Sequence, residues 1–131
     1  MHQHPDADRH RQAVEDYLRA LHASDLPGML ALFEPGAWVL SPILGQVAVV
    51  DFFPKVFAAA RRSIITPHDV FVSARGQPRA VGYFNYEWIL TDGTRVVFDA
   101  ADVFEFSESG LIRALLIYYD SHPFRNDIRG K

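Results

Sequence analysis

The apolar positions of the chain follow helical spacing before about residue 64 and strand spacing after it. In the first helical segment, the apolar stripe consists of Val14, Tyr17, Leu18 and Leu21. The second segment follows the cap-type residue Asp25 and tolerates a proline in its first turn. A third segment begins near residue 47, and a proline at position 54 predicts either a kink or two short helices there.

After residue 64 the chain is rich in β-branched and aromatic residues. Turn signals at 75–78, 92–93 and 109–110 divide this part into four strands in an antiparallel meander. One short early strand, 37–41, ends at Pro42. Three helical segments and one early strand followed by a meander predict an α+β fold, in which the helices pack on one face of a curved, mostly antiparallel sheet.

Asp102 interrupts the apolar face of the third strand of this meander. The alternating positions on that face are Val96, Phe98, Ala100, Asp102, Phe104 and Phe106. Burial disfavours the charged form of a carboxyl, so we expect Asp102 to be protonated or paired, and a protonated acid can donate a hydrogen bond to an oxyanion. The alternative is a structural Asp102 that backbone donors or a tyrosine hydroxyl satisfy.

Composition and charge narrow the class of protein. The 131 residues, 49% of them hydrophobic, predict a loose N-terminus over 1–8, one domain over 9–121 and a tail over 122–131. The chain has no cysteine, which excludes disulfides and zinc-thiolate sites, and we expect a cytoplasmic protein. A net charge of -3 without a Lys/Arg cluster predicts no nucleic-acid partner, and no apolar stretch is long enough to predict a membrane partner.

Segments 17–21, 25–33, 102–106 and 118–120 together resemble the nuclear-transport-factor-2-like superfamily. Within it, the chain is similar to ketosteroid isomerases and SnoaL-like polyketide cyclases. The resemblance implies a cystatin-like cone of helices and curved sheet around one deep apolar pocket, with no cofactor and no metal. It also implies an oxyanion site made by Tyr17 and Asp102. The general-base Asp of that family corresponds to Ser41, whose hydroxyl is too weak a proton acceptor near neutral pH.

A similarity to limonene epoxide hydrolases concerns three further positions. The Arg, the first Asp and the last Asp of that family correspond to Asn85, Glu87 and Ile117. Both alignments place Glu87 on the pocket side of its strand, which makes it the candidate base, opposite Tyr17 and Asp102. The alternative is a Glu87 that forms a salt bridge at the rim or is exposed on the sheet.

A pocket of this kind predicts a ligand and a reaction class. We expect a small hydrophobic carbonyl or phenolic compound and a cofactor-independent proton transfer, of the isomerase, cyclase or dehydratase type, with Tyr17, Asp102 and Glu87 as catalytic residues. The alternatives are a non-catalytic protein that binds such a compound and a dimeric scaffold. The residues predicted to bind the substrate are Trp38, Ser41, Phe53, Phe57, Asn85, Phe98, Phe104, Ile117 and Tyr119.

The face of strand 83–90 that lies away from the predicted pocket is unusually aromatic. It consists of Phe84, Tyr86, Trp88 and Leu90. A second copy of the chain would remove such a patch from water, so we expect a homodimer through this sheet face.

Overall fold

The computed structural model describes residues 6–42 and 44–120. Its helices are α1 (Ala7–Ala23), α2 (Leu26–Leu30) and α3 (Val49–Ala59). Its strands are β1 (Phe33–Ser41), β2 (Gly45–Ala48), β3 (Ala60–Val72), β4 (Arg79–Leu90), β5 (Arg95–Phe106) and β6 (Ile112–Tyr119). Positions 1–5 of the predicted loose N-terminus and the predicted tail at 122–131 lie outside the described residues. Among the described helices, none combines the length and the apolar character needed to cross a membrane.

The first two helices form as their sequence patterns predict. The whole predicted stripe of α1, from Val14 to Leu21, is buried, and the helix packs against β3 and β4. At α2, the side chain of Asp25 accepts a hydrogen bond from the backbone N–H of Gly28 at 3.0 Å, and a proline occupies the first turn. The buried stripe of α1 and the cap of α2 therefore agree with the predicted hydrophobic spacing and the predicted cap residue.

The third helix differs from its prediction. It begins at Val49 because the preceding residues, Gly45–Ala48, form the short strand β2. Helix α3 also continues through Pro54 to Ala59, so the predicted alternative of two short helices is wrong. Proline lacks the N–H that would bond to the preceding turn, but the buried side chains Phe52 and Phe53 hold this turn against the core.

The six strands form one sheet in the order β2-β1-β6-β5-β4-β3. Strands β3 to β6 are the predicted antiparallel meander, and β2 pairs antiparallel with β1. Among the described strands, only β1 and β6 pair in parallel, so the first strand lies beside the last. The helices contact the sheet on one face, which we call the inner face, and the predicted α+β class with a curved, mostly antiparallel sheet is confirmed.

The predicted orientation of β4 is wrong. Gly82 lies directly opposite Asp102 in β5, and residues directly opposite each other share a face of the sheet. Phe84 and Tyr86, which follow at intervals of two, are therefore on the inner face with Asp102, and they are 1% and 9% exposed. The physical reason is that the opposite orientation of β4 would turn the rings of Phe84 and Tyr86 to the outer face and expose them to water. The proposed dimer surface of Phe84, Tyr86, Trp88 and Leu90 consequently belongs to the inner face.

The opposite face of the sheet, the outer face, has an apolar row of its own. Cross-strand pairing aligns one residue from each of five strands, and this outer row consists of Phe71, Val81, Val103, Leu116 and Leu40. Phe71 and Leu40 at its ends are 50% and 40% exposed, and the neighbouring Tyr118 is 54% exposed. In the single chain, the outer face therefore leaves apolar side chains exposed to solvent.

Candidate functional site

A cavity of about 240 Å³ lies between the helices and the inner face of the sheet. Helices α1 and α3 form one side of it, and strands β1, β4, β5 and β6 form the other. The described residues that line it are Tyr17, Leu21, Ser41, Leu44, Phe52, Phe53, Val56, Phe84, Tyr86, Trp88, Phe98, Ala100, Asp102, Ile117 and Tyr119. The wall is almost entirely apolar, which is the usual character of a pocket for a small molecule.

Tyr17 and Asp102 meet in this wall. The Tyr17 hydroxyl donates a hydrogen bond of 2.8 Å to Oδ2 of Asp102, and both side chains are 2% exposed. The ring of Tyr17 makes edge contacts with Phe104 and Phe53, at centroid distances of 4.9 Å and 6.2 Å. Tyr17 is therefore fixed by aromatic packing, and the pair that the sequence predicted is brought together.

The environment changes the acidity of both groups. Burial raises the pKa of Asp102 from its ordinary value of 3.8 to about 7, and the hydrogen bond from Tyr17 opposes part of that rise. Burial also raises the pKa of Tyr17 well above its ordinary value of 10.0, and the neighbouring Asp102 raises it further. Near pH 7 the carboxyl of Asp102 is consequently present in both protonation states, while Tyr17 stays a neutral donor.

Gly82 sets the distance between α1 and the sheet at this pair. A Cβ atom at position 82 would lie 2.9 Å from Cγ1 of Val14 and 3.5 Å from Cε1 of Phe104. Val14 precedes Tyr17 by about one turn of α1, on the same buried stripe. The absence of a side chain at Gly82 therefore lets α1 come close enough for the Tyr17 hydroxyl to reach Asp102.

Two further polar side chains line the cavity on β4. The hydroxyl of Tyr86 lies 3.3 Å from Oγ of Ser63. Burial raises the pKa of Tyr86 to about 12, although the hydrogen bond with Ser63 lowers it. The indole Nε1 of Trp88 is buried and has no hydrogen-bond partner among the described residues. Both residues were missed as pocket residues because β4 was assigned the opposite phase.

Ser41 lines the cavity as predicted, and its hydroxyl has a local role. Its Oγ accepts a hydrogen bond of 2.9 Å from the backbone N–H of Leu44, just after the end of β1. No carboxylate or imidazole is among its described hydrogen-bond partners. This contact explains why a serine fits the position without any part in proton abstraction.

Glu87 and Asn85 lie on the outer face, which corrects two predicted positions. Glu87 forms an ion pair with Arg95, and Asn85 donates a hydrogen bond of 3.2 Å to Asp99. Since they alternate with Phe84 and Tyr86 along β4, their side chains are on the far side of the sheet from the cavity. Glu87 is thus not placed to act as a base for a ligand in this cavity, and the alternative of a salt-bridged glutamate describes it.

Of the other predicted substrate-binding residues, Phe53, Phe98, Ile117 and Tyr119 line the cavity and three do not belong to its described wall. Trp38 alternates with the buried residues of β1 and is on the outer face. Phe57 packs beside Phe53 at a centroid distance of 5.9 Å. Phe104 is fully buried behind the ring of Tyr17. These three predictions confused core or outer-face positions with the cavity.

The described part of the chain contains no group of three or more His, Asp or Glu side chains close enough together to hold a metal ion. His10, the one histidine of α1 that is buried, stacks on Phe106 at a centroid distance of 4.2 Å.

The α+β fold and the buried Tyr17–Asp102 pair in an apolar cavity are features of a small pocket protein. The family model described as the SnoaL-like domain matches residues 14–115, and the chain belongs to this family. It is therefore a pocket protein of the SnoaL-like type within the nuclear-transport-factor-2-like fold. No curated protein matches the chain in sequence.

Solved structures show the same fold at low sequence identity. A protein described as a SnoaL-like polyketide cyclase, from Jannaschia sp. CCS1, has a TM-score of 0.80 and 12% identity, and the match covers 100% of this chain and 99% of that one. SalBIII, an epoxide hydrolase/cyclase-like enzyme in pyran ring formation in salinomycin, has a TM-score of 0.76 and 18% identity, with 88% and 93% covered. An LEH-like epoxide hydrolase of M. tuberculosis has a TM-score of 0.75 and 19% identity, with 96% and 94% covered.

Proposed function

We propose that the protein binds a small hydrophobic carbonyl or phenolic compound in the cavity, with the ligand oxygen at Asp102 and Tyr17. One observation carries the proposal: Oδ1 of Asp102 is buried and has no hydrogen-bond partner among the described residues, while Oδ2 is bonded to Tyr17. Leaving a buried polar atom unpaired is costly, and a ligand oxygen would remove that cost. The volume of about 240 Å³ exceeds the ~150 Å³ that holds a benzene, so a molecule of one or two rings fits.

In the catalytic form of the proposal, Asp102 is both the base and the acid. Among the described residues of the wall, it is the only one with a carboxyl or imidazole group. Its carboxylate takes a proton from the carbon next to the ligand carbonyl, and the C–H electron pair moves to form the enolate. The Tyr17 hydroxyl leaves its hydrogen bond with Asp102 as that carboxyl becomes protonated, and donates to the enolate oxygen instead. The carboxyl then returns the proton to another carbon, which is an isomerisation. A pKa of about 7 suits this exchange near neutral pH.

The binding step is tested by titration with 2-naphthol, whose fluorescence distinguishes the phenol from the phenolate. Native protein, Tyr17→Phe and Asp102→Asn are compared, with Glu87→Gln on the outer face as the matched control. We expect binding to weaken by about tenfold in each pocket variant, the scale of one hydrogen bond to a partly charged oxygen, and to be unchanged in the control. Equal affinity in all four proteins would contradict the proposal.

A binding protein without turnover is the second candidate. It is favoured by the lack of a second carboxyl in the described cavity wall and by Ser41 at the position of the family base. Exchange of the acidic C1 protons of 2-tetralone in D₂O, followed by NMR, separates the two candidates. The enzyme accelerates the exchange, and Asp102→Asn abolishes the acceleration. A protein that binds 2-tetralone without accelerating exchange is a carrier.

We further propose that the chain forms a homodimer through its outer face. The outer row then forms the contact surface that was predicted for Phe84, Tyr86, Trp88 and Leu90. Five strands at about 4.8 Å spacing and about ten residues of strand length give a face of roughly 600 to 700 Å², near the ~800 Å² per partner of standard interfaces. Beside the row, Glu105 is paired with both Arg79 and Arg113, so the face carries both signs of charge and suits a second copy of itself.

The dimer is tested by light scattering after size exclusion. We expect a dimer for the native chain and a monomer for Val103→Lys, in which a charge replaces the centre of the outer row. Glu108→Lys, in the exposed turn between β5 and β6, is the matched control and is expected to stay dimeric. A native monomer at all concentrations would overturn this proposal and leave the ligand proposal untouched.

A further inference from the structure

Strand β3 is the last strand of the sheet, so one of its edges has no neighbouring strand among the described residues. It is 13 residues long, about twice the usual length of a strand. The backbone N–H and C=O groups along such an edge can pair with a strand of another chain unless they are covered. The groups that cover this edge therefore decide whether β3 is an interaction surface.

Three residues close the middle of this edge. In an antiparallel pair, alternate residues direct their N–H and C=O groups away from the partner strand. The N–H of Ile65 donates a hydrogen bond of 3.0 Å to Nδ1 of His22 in α1, and so it points away from β4. Pro67, the next residue with this orientation, has no N–H. Beyond the bulge between Pro67 and Asp69, the N–H of Val70 donates to Oδ1 of Asp69 at 2.8 Å. Between residues 65 and 70, no N–H of this orientation is free to bond to another strand.

The cover at Ile65 differs from the other two because it depends on a proton. A backbone N–H can only donate, so Nδ1 of His22 is the acceptor and carries no proton in this structure. Histidine side chains change charge between about pH 5 and pH 8, and a protonated ring has two N–H donors and no acceptor. Protonation of His22 therefore breaks this hydrogen bond, and its exposed ring can turn towards solvent.

Two elements, α1 and β3, meet at His22. In α1, Arg19 lies one turn earlier and is ion-paired with Asp16. Asp25 follows the helix, and its carboxylate caps α2. The nearest charged positions of β3 are the arginines at 61 and 62. The neighbouring carboxylates are thus engaged elsewhere, and the hydrogen bond to the sheet edge is the contact of His22 that protonation removes.

The charges along β3 favour a second copy of the chain as the partner. Arg61 and Arg62 lie near the start of the strand and Asp69 near its end, with Ile65 between them. Two copies of β3 that pair antiparallel about Ile65 bring the arginines of each copy to the aspartate of the other. At the centre, each Ile65 N–H donates to the Ile65 carbonyl of the other copy. This central pair needs the same N–H that His22 occupies.

We infer that the free edge of β3 is an interaction surface for a second copy of the chain, and that His22 keeps it closed until its ring is protonated. With a neutral ring the edge is covered. In acid, the β3 strands of two copies pair, and their sheets join into one continuous sheet. This assembly uses the edge of the sheet, so it is independent of the cavity ligand and of the outer-face dimer.

Light scattering after size exclusion, at about pH 8 and about pH 5, tests the role of His22. We expect the mass of the native protein to at least double at the lower pH. His22→Asn has an amide oxygen that accepts a hydrogen bond at both pH values, so its mass is expected to stay constant. His68→Asn removes another histidine of β3 and is the matched control, which is expected to keep the increase.

A second variant tests the partner. Arg61→Asp combined with Arg62→Asp places like charges opposite each other in the paired strands, so its mass is expected to stay constant at both pH values. Its edge still opens in acid, because His22 is intact. Hydrogen exchange at the Ile65 amide, corrected for the intrinsic effect of pH, should therefore show less protection at about pH 5 in this variant. In His22→Asn the protection should persist. Circular dichroism checks that each variant is folded at both pH values.

The outcomes decide between a gated edge and other causes of association in acid. A mass increase that needs both His22 and the two arginines, together with the loss of protection at Ile65, supports the inference. A native mass that is the same at both pH values overturns it. An increase that persists in His22→Asn or in the arginine variant, or that disappears in His68→Asn, also overturns it. Unchanged protection of Ile65 in the arginine variant would show that His22 does not release this edge.

Discussion

Replacing Asp102 with asparagine is expected to change how the stability of the protein depends on pH. Asparagine has nearly the shape of aspartic acid, and its amide oxygen can still accept the hydrogen bond from Tyr17. It has no proton to lose, so the variant removes one titration and little else. In the native protein the pKa of Asp102 is higher in the folded state than in the unfolded chain, so the folded state holds this proton more tightly.

The sign and the size of the effect follow from the two pKa values. Between pH 3.8 and about pH 7, the unfolded chain has lost this proton while the folded protein still binds it, so the free energy of unfolding falls as the pH rises. The interval is a little over three pH units, and at about 1.4 kcal/mol per unit it corresponds to about 4 kcal/mol. Above about pH 7 the loss is complete and the contribution of Asp102 is constant.

The assay is urea unfolding followed by circular dichroism at several pH values from 4 to 8. Subtracting the profile of Asp102→Asn removes the contributions of all other groups, and the difference should fall by about 4 kcal/mol across this interval. Asp99→Asn is the matched control, because this carboxyl is on the same strand but exposed, and its hydrogen bond with His68 holds its pKa below the ordinary value. Parallel profiles for native protein and Asp102→Asn would refute the idea that burial keeps this carboxyl protonated.

Three further results are expected. Tyr17→Phe removes the hydrogen bond that lowers the pKa of Asp102, so a carboxyl-labelled NMR titration should give a higher pKa, and a lower one would contradict the assigned contact. Gly82→Ala should lower the free energy of unfolding in urea by about 1–3 kcal/mol through overpacking against Val14, and a Val14→Ala background should reduce that loss. Glu87→Gln should change ligand affinity and turnover less than twofold, and its stability by at most about 1 kcal/mol, because its ion pair is on the outer face.

The burial of Asp102 could be predicted from sequence because β5 has only one strongly apolar face. Every other inner-face position of that strand is aliphatic or aromatic, so the phase of the strand is unambiguous and the acid is carried inside. The stripe of α1 is equally clear, which is why Tyr17 was placed correctly. These two local patterns predict that both residues are buried, whereas the prediction that they form one site came from the resemblance to ketosteroid isomerases.

The phase of β4 could not be read with the same certainty, since it has aromatic residues on both faces. Tyr83 is 39% exposed on the outer face, while Phe84 is buried on the inner face. The deciding fact is the pairing of Gly82 with Asp102, which is a long-range contact between two strands. Gly82 itself is the residue that could have revealed the phase, because a glycine in mid-strand often marks a close approach of another element.

Core and cavity positions differ for a related reason. Phe104 and Asp102 share one face of β5 and are both buried beside Tyr17 of α1, but of the two only Asp102 lines the cavity. The sequence pattern predicts which face of a strand is buried. It does not predict where along that strand the helices cover the face and where a cavity remains. The strand β2 and the parallel pairing of β1 with β6 were missed likewise, because both depend on contacts between distant parts of the chain.

The parallel pairing of β1 with β6 has a consequence for the order of folding. Ser41 reaches the cavity wall from the first strand, whereas Ile117 and Tyr119 reach it from the last. Pairs so distant in sequence carry the largest loop-closure entropy, so they are expected to form late, after the meander has assembled. The binding cavity is then completed only at the final stage of folding, and a ligand should slow the unfolding of the native protein while leaving its refolding rate almost unchanged.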